Sequence, residues 1–91
     1  MNKAELITKI AEKSGMTKRD VETMVAAMTE IITERVAEHE KVHLSGFGVF
    51  EAKKRAARIG RNPGTKEPIE IPERYVAAFR PGKNLAEAMT K

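Results

Sequence analysis

The chain has 91 residues, a formal net charge of +4, 41% hydrophobic and 33% charged side chains, the balance of one small folded domain and not of a disordered tail. Four aromatic residues (Phe47, Phe50, Tyr75, Phe79) and no Trp limit one copy to a thin core, in the size range where oligomerisation often supplies the missing burial, so a dimer is expected. Without cysteine there is no disulfide framework or thiolate metal site, which favours an intracellular setting, and no apolar run nears the roughly 20 residues of a membrane span or follows Met1 as a leader, which argues against membrane insertion and secretion.

Asn2 followed three residues later by Glu5 has the form of a capping box. Leu6, Ile7, Ile10 and Ala11 then share one helical face until Ser14-Gly15 ends the run. Thr17 with Asp20 repeats the start signal, and Val21, Met24, Val25, Met28, Ile31, Ile32 and Val36 recur at three- and four-residue spacing up to about His39. A helix of that extent is roughly 30 Å long. Its apolar stripe is longer than the first helix can cover, so a second copy of the chain is the expected cover, with Met24 and Met28 as core filler.

Beyond residue 40 the period changes from 3.6 to 2: Val42 and Leu44 alternate with polar neighbours until Gly46-Phe47-Gly48 turns the chain and lets Phe47 and Phe50 reach the core. Val49 to Arg61 reads as a second extended run. Arg61-Asn62-Pro63-Gly64-Thr65 is a hairpin tip, with Asn62 pushed to extended geometry by the following proline and Pro63-Gly64 suited to the centre of a type II turn. The return, Lys66 to Ile71, carries Pro68 and Pro72, which restrict it to an edge. Their common parity leaves the odd-numbered amides to pair, so the pair of runs forms an exposed two-stranded arm. Tyr75 to Phe79 leads back into the body as a strand, and Pro81-Gly82 precedes a short last helix with Leu85, Ala86 and Met89 on one face. The expected class is α+β: two N-terminal helices, a three-stranded antiparallel sheet with a long β-ribbon arm, and a short C-terminal helix.

Charge is segregated along this order. Residues 1 to 40 hold six basic and eight acidic side chains, residues 41 to 91 eleven basic and five acidic, and residues 52 to 66 carry Lys53, Lys54, Arg55, Arg58, Arg61 and Lys66 with no acid. Such a segment is either a solubilising surface or a site for a polyanion, of which nucleic acid fits best. An extended cationic ribbon is narrow enough for the DNA minor groove, about 6 Å wide, and Pro63 at its tip, flanked by Arg61 and Asn62, has the makings of an apolar wedge that unstacks a base step. Helices starting with Lys3, with Lys18-Arg19 and with Lys83 set cations at positive dipole ends, a cost that an incoming phosphate would reverse. Catalytic material is scarce: Asp20 is the one aspartate, Ser14 and Ser45 the only serines, His39 and His43 the only histidines. Two histidines fall short of a metal site, and Gly46-x-Gly48 lacks the third glycine and helix of a dinucleotide loop.

Gly46-Phe47-Gly48-Val49-Phe50-Glu51, Arg55, Arg58, Gly60-Arg61-Asn62-Pro63 and Phe79-Arg80-Pro81-Gly82-Lys83 together resemble the HU and integration host factor family of bacterial histone-like proteins, a similarity that runs over essentially the whole chain and is most like HU. The resemblance implies an intertwined homodimer with residues 1–91 as a single domain: a helical dimerisation part (1–40), a β saddle (41–82) with an arm at about 53–75, and a C-terminal helix (83–91). It further implies an architectural protein of the cytoplasmic nucleoid that binds double-stranded DNA largely without sequence specificity through minor-groove arms, and bends and compacts it. No enzymatic activity, cofactor, metal, small-molecule substrate or membrane partner is implied. The DNA-binding residues carried over are Lys3, Gly46, Lys53, Arg55, Arg58, Arg61, Asn62, Pro63, Arg80 and Lys83, with Pro63 as the intercalating residue. A sequence-preferring subunit like integration host factor is the alternative, and a dimeric interaction scaffold with a basic solubilising arm is another from outside DNA binding. The chain departs from the family at Thr65-Lys66-Glu67-Pro68, where Thr-Gly is common, which points to a stiffer tip.

Overall fold

Asn2 starts the first helix as its spacing to Glu5 requires: its Oδ1 accepts the Glu5 N–H at 2.8 Å, and α1 (Lys3–Ser14) ends at Gly15, whose left-handed φ of 76° lets its N–H reach the Ala11 carbonyl. Thr17 Oγ1 accepts the Asp20 N–H at 3.1 Å and starts α2 (Lys18–Ala37). That helix stops two residues before the expected end. His39 takes φ 63° and donates its N–H to the Val36 carbonyl while Glu40 donates to Arg35, a Schellman ending with histidine where glycine is usual.

A computed structural model describes residues 1–90, and the chain falls into two compact units, Met1–Glu34 and Arg35–Lys91. In the first unit Ile7, Ala11, Val21 and Val25 are the buried core, with Ile10 packed against them. A four-residue core is as thin as the aromatic count foretells. Met24, Met28 and Ile31, on one side of α2, stay 47%, 46% and 53% exposed, so within one chain the methionines are not core filler; the stripe outruns what α1 covers.

The second unit holds the strands β1 (Val42–Leu44), β2 (Gly48–Arg55), β3 (Arg58–Arg61), β4 (Pro68–Ile71) and β5 (Arg74–Pro81), then α3 (Lys83–Ala88). β1, β2 and β5 form an antiparallel sheet in that order, and β3 pairs with β4 as a separate ribbon. The α+β arrangement of helices, three-stranded sheet, ribbon and final helix is the expected one. The two long runs are each interrupted, at Ala56-Ala57 and at Pro72-Glu73, so the arm is a distinct ribbon and not an unbroken extension of the sheet.

The turn from β1 to β2 is built on close backbone approach. Gly46 has φ 82°, and a Cβ there would meet Asn84 Nδ2 at 2.8 Å; a side chain at Gly48 would strike the Phe79 ring. Asn84 N–H donates to the Gly46 carbonyl and Gly82 N–H to Phe47, which fixes the start of α3 on the turn. Phe79 meets Phe50 at 4.9 Å and Phe47 at 5.5 Å between ring centroids. Phe47 is nevertheless half exposed and lies outside the buried core, contrary to the expectation for it.

Candidate nucleic-acid interface

Side chains alternate between the faces of a sheet, and the observed register, Phe50 opposite Phe79 and Arg55 opposite Arg74, therefore sorts the second unit into two surfaces. One carries Val42, Leu44, Phe50, Ala52, Ala77 and Phe79. The other carries Lys53 and Arg55 from β2, Arg74 and Arg80 from β5, and Lys41 leading into β1. Its one acid is Glu51, with the side chain 19% exposed, lying 3.8 Å from Lys41 Nζ and 3.9 Å from an Arg80 nitrogen. A single carboxylate thus restrains two cations, and the remainder of the face is positive. Lys54 falls on the opposite surface and pairs with Glu73 at 3.1 Å.

The arm continues the positive character on a thinner support. Asn62 N–H donates to Glu67, and because hydrogen-bonded and non-bonded pairs alternate along an antiparallel ladder, Gly60 with Ile69 and Arg58 with Ile71 fall at bonded positions while Arg61 opposite Pro68 falls at a non-bonded one. Pro68 costs the ladder no bond. Ile59 is 76% exposed and Ile69 is exposed as well, so the ribbon has almost no apolar burial of its own.

The tip is not the type II turn expected from Pro63-Gly64. That turn needs a left-handed residue at Gly64, whereas the left-handed residue is Lys66, at φ 61°. Two bonds determine the outcome: Lys66 N–H closes the loop on the Asn62 carbonyl at 2.7 Å, and Asn62 Oδ1 accepts the Gly64 N–H at 2.9 Å. Arg61 Nη1 donates to the Lys66 carbonyl at 3.2 Å. Arg61 and Asn62 therefore brace the turn that presents Pro63, which is itself exposed, and the Asn62 side-chain amide still has donors to offer.

The sequence-derived residues thus fall into groups. Lys53, Arg55 and Arg80 share the cationic face; Arg58 follows at the arm root; Arg61, Asn62 and Pro63 form the tip. Gly46 sits in the β1–β2 turn with its carbonyl already engaged by Asn84, leaving its N–H as what it could offer an anion. Lys83 is the first residue of α3, and Lys3, exposed, the first of α1 in the other unit. Arg74 was missed, because reading β5 from Tyr75 left it in a loop; counting back by twos from Arg80 would have placed it on the cationic face. Among the described residues no three His, Cys, Asp or Glu side chains converge as a metal site, and no helix is long and apolar enough to cross a membrane.

The family model for bacterial DNA-binding proteins matches residues 1–90. The chain belongs to this family. It is 52% identical to the DNA-binding protein HU of Clostridium pasteurianum over 91 residues, all of both chains, and 52% identical to that of Thermotoga maritima over 87 residues, 96% of this chain and 97% of the relative. Among solved structures, HU in an Anabaena HU–DNA cocrystal superposes with a TM-score of 0.93 at 46% identity, covering 98% of this chain and 97% of that one. HU from Thermotoga maritima gives 0.69 at 35% identity, covering 98% of each. Family membership accounts for the glycine-framed turn and the proline-tipped arm occurring together in one chain.

Proposed function

We propose that this chain is an architectural DNA-binding protein that acts as a homodimer, binds double-stranded DNA largely without regard to sequence, and bends it. The observation that carries the reading is the sorted sheet: a face with Lys53, Arg55, Arg74 and Arg80 and a single carboxylate, continued by a narrow ribbon that ends in an exposed proline. The similarity to HU proteins, one of them crystallised with DNA, supports it. Cations spaced along extended strands meet phosphates and carry no base code, so affinity is electrostatic and falls with salt. Lys53, Arg55 and Arg80 bind phosphate on the sheet; Arg58, Arg61 and Asn62 follow the minor groove; Pro63 enters a base step; Lys3, Lys83 and the Gly46 N–H meet the flanking backbone. The role is non-enzymatic, and its setting is the cytoplasmic nucleoid.

Dimerisation follows from the exposed stripe Met24, Met28 and Ile31. Two 10.1 kDa copies should sediment as a species of about 20 kDa at low micromolar concentration, and a folded monomer contradicts the arrangement. The functional test is titration of a random-sequence duplex over a range of salt. The expected log–log slope is about −0.9 per phosphate contact, with nicked or kinked duplex bound more tightly than straight duplex; binding that ignores salt defeats the proposal.

A further inference from the structure

Arg55 and Arg74 stand directly opposite each other as the last pair of the β2–β5 ladder. Side chains so placed have Cβ atoms about 5 Å apart, and like charges there are destabilising. Ala56 and Ala57 then leave the ladder, and Arg58 begins the ribbon. The three arginines line one open cleft of about 670 Å³, whose remaining wall is Ala56, Ala57, Val76 and Ala77. Among the described residues none of the three makes a salt bridge, and Glu73, the neighbour of Arg74 in the chain, is held by Lys54 at 3.1 Å. This sets the cleft apart from the rest of the sheet face, where Arg80 and Lys41 have Glu51. Small apolar walls leave room for an anion, and guanidinium groups bind phosphate oxygens in a bidentate fork.

We infer that Arg74 is a further DNA-binding residue, which with Arg55 and Arg58 forms a clamp for one backbone phosphodiester at the root of the arm. The inference rests on the DNA-binding reading above and assigns a new site to it. A phosphate in the cleft cancels the repulsion between Arg55 and Arg74. It also ties the end of the sheet to the first residue of the ribbon across the two unpaired alanines, so that binding sets the direction in which the arm leaves the sheet.

The test measures affinity for a duplex against salt in Arg74→Gln and Arg74→Glu, with denaturation midpoints taken on the free proteins. Each dimer has two clamps, so Arg74→Gln is expected to lower affinity severalfold and to flatten the log–log slope by about 1.8, from about 0.9 per lost contact. In Arg74→Glu the cross-strand pair with Arg55 becomes attractive: the midpoint of the free protein should rise or hold while DNA affinity falls further than in Arg74→Gln. Opposite signs in stability and binding separate a binding role from a structural one. If the unsubstituted protein binds with a strong salt dependence and both variants keep its slope and affinity, the clamp is overturned while the DNA-binding reading stands; a protein without salt-dependent DNA binding overturns both. Affinity lost in step with a lowered midpoint in both variants also overturns the clamp, by making Arg74 structural.

Discussion

The three-stranded sheet and the two-stranded arm carry the same kind of cation on different foundations. On the sheet, eight consecutive β2–β5 pairs set the spacing of Lys53, Arg55, Arg74 and Arg80, and the Phe50–Phe79 contact backs the opposite face. In the arm, four pairs carry Arg58 and Arg61, Ile59 lies open to solvent, and the tip is held by a few bonds among Arg61, Asn62, Gly64 and Lys66. A two-stranded ribbon of this sort is marginally stable alone in water. The sheet is thus a preformed phosphate-binding surface, whereas the arm gains its order from the groove it enters, and part of the binding free energy is used for that ordering.

The largest expected consequence is in hydrogen exchange. In the free protein, amides of Ile59 and Ile69 should exchange roughly a thousandfold or more faster than that of Ile31 in α2, since local opening of a poorly buried ribbon costs far less than global unfolding. Adding DNA should slow the arm selectively. Equal protection in arm and helix without DNA would erase the distinction drawn here.

A smaller effect sharpens the sheet side. Glu51 holds Lys41 and Arg80 at 3.8 and 3.9 Å, so phosphate must displace it. Glu51→Gln removes that competitor, and because exposed ion pairs are worth about 0–1 kcal/mol, DNA affinity should rise by no more than about fivefold at low salt, the gain fading as salt increases. Reduced affinity in a folded Glu51→Gln protein would show that the carboxylate positions the cations and does not compete for them.

The smallest effect tests the tip. Lys66 occupies the left-handed region at φ 61°, which costs a residue with a Cβ about 1 kcal/mol. Lys66→Gly relieves that strain and removes one charge per arm. It should favour the closed tip by about that amount, seen as slower exchange of the Lys66-position amide bonded to Asn62, while the salt slope flattens slightly. Faster exchange there would mean the loop is held by the lysine side chain and not by its backbone.

Much of this was legible in the residues alone. Asn2 with Glu5, Gly15 and Thr17 with Asp20 marked the helix ends because capping is local chemistry, and the parity of Pro68 and Pro72 announced an edge ribbon. Features governed by distant parts of the chain were hidden. The turn at Pro63-Gly64 was misread because the local preference for a type II turn gave way to a loop closed between Asn62 and Lys66, which moves the left-handed position to a residue that gives no signal for it. Arg74 was hidden by Pro72-Glu73, which reads as loop up to Tyr75, and the restraint of Arg80 by Glu51 depends on a register no spacing within one strand reveals. Phe47 and the methionines of α2 read as core, yet one chain leaves them half exposed, since the surface that would cover them belongs to a second copy. The assignment of individual DNA contacts came from family resemblance, with charge and the proline-tipped turn as independent support.

The account turns on a division of labour in which arm cations supply affinity and Pro63 supplies the bend. Fluorescence-transfer measurement of duplex bending, with salt titrations on the same samples, tests this in Pro63→Ala and Arg58→Ala. Pro63→Ala keeps every charge and loses the ring; it should reduce the bend angle and the preference for nicked DNA while leaving the salt slope nearly unchanged. Arg58→Ala should flatten the slope by about 1.8 per dimer and alter the bend much less. A bend angle unchanged in Pro63→Ala would contradict the wedge and leave the arm as an electrostatic tether alone.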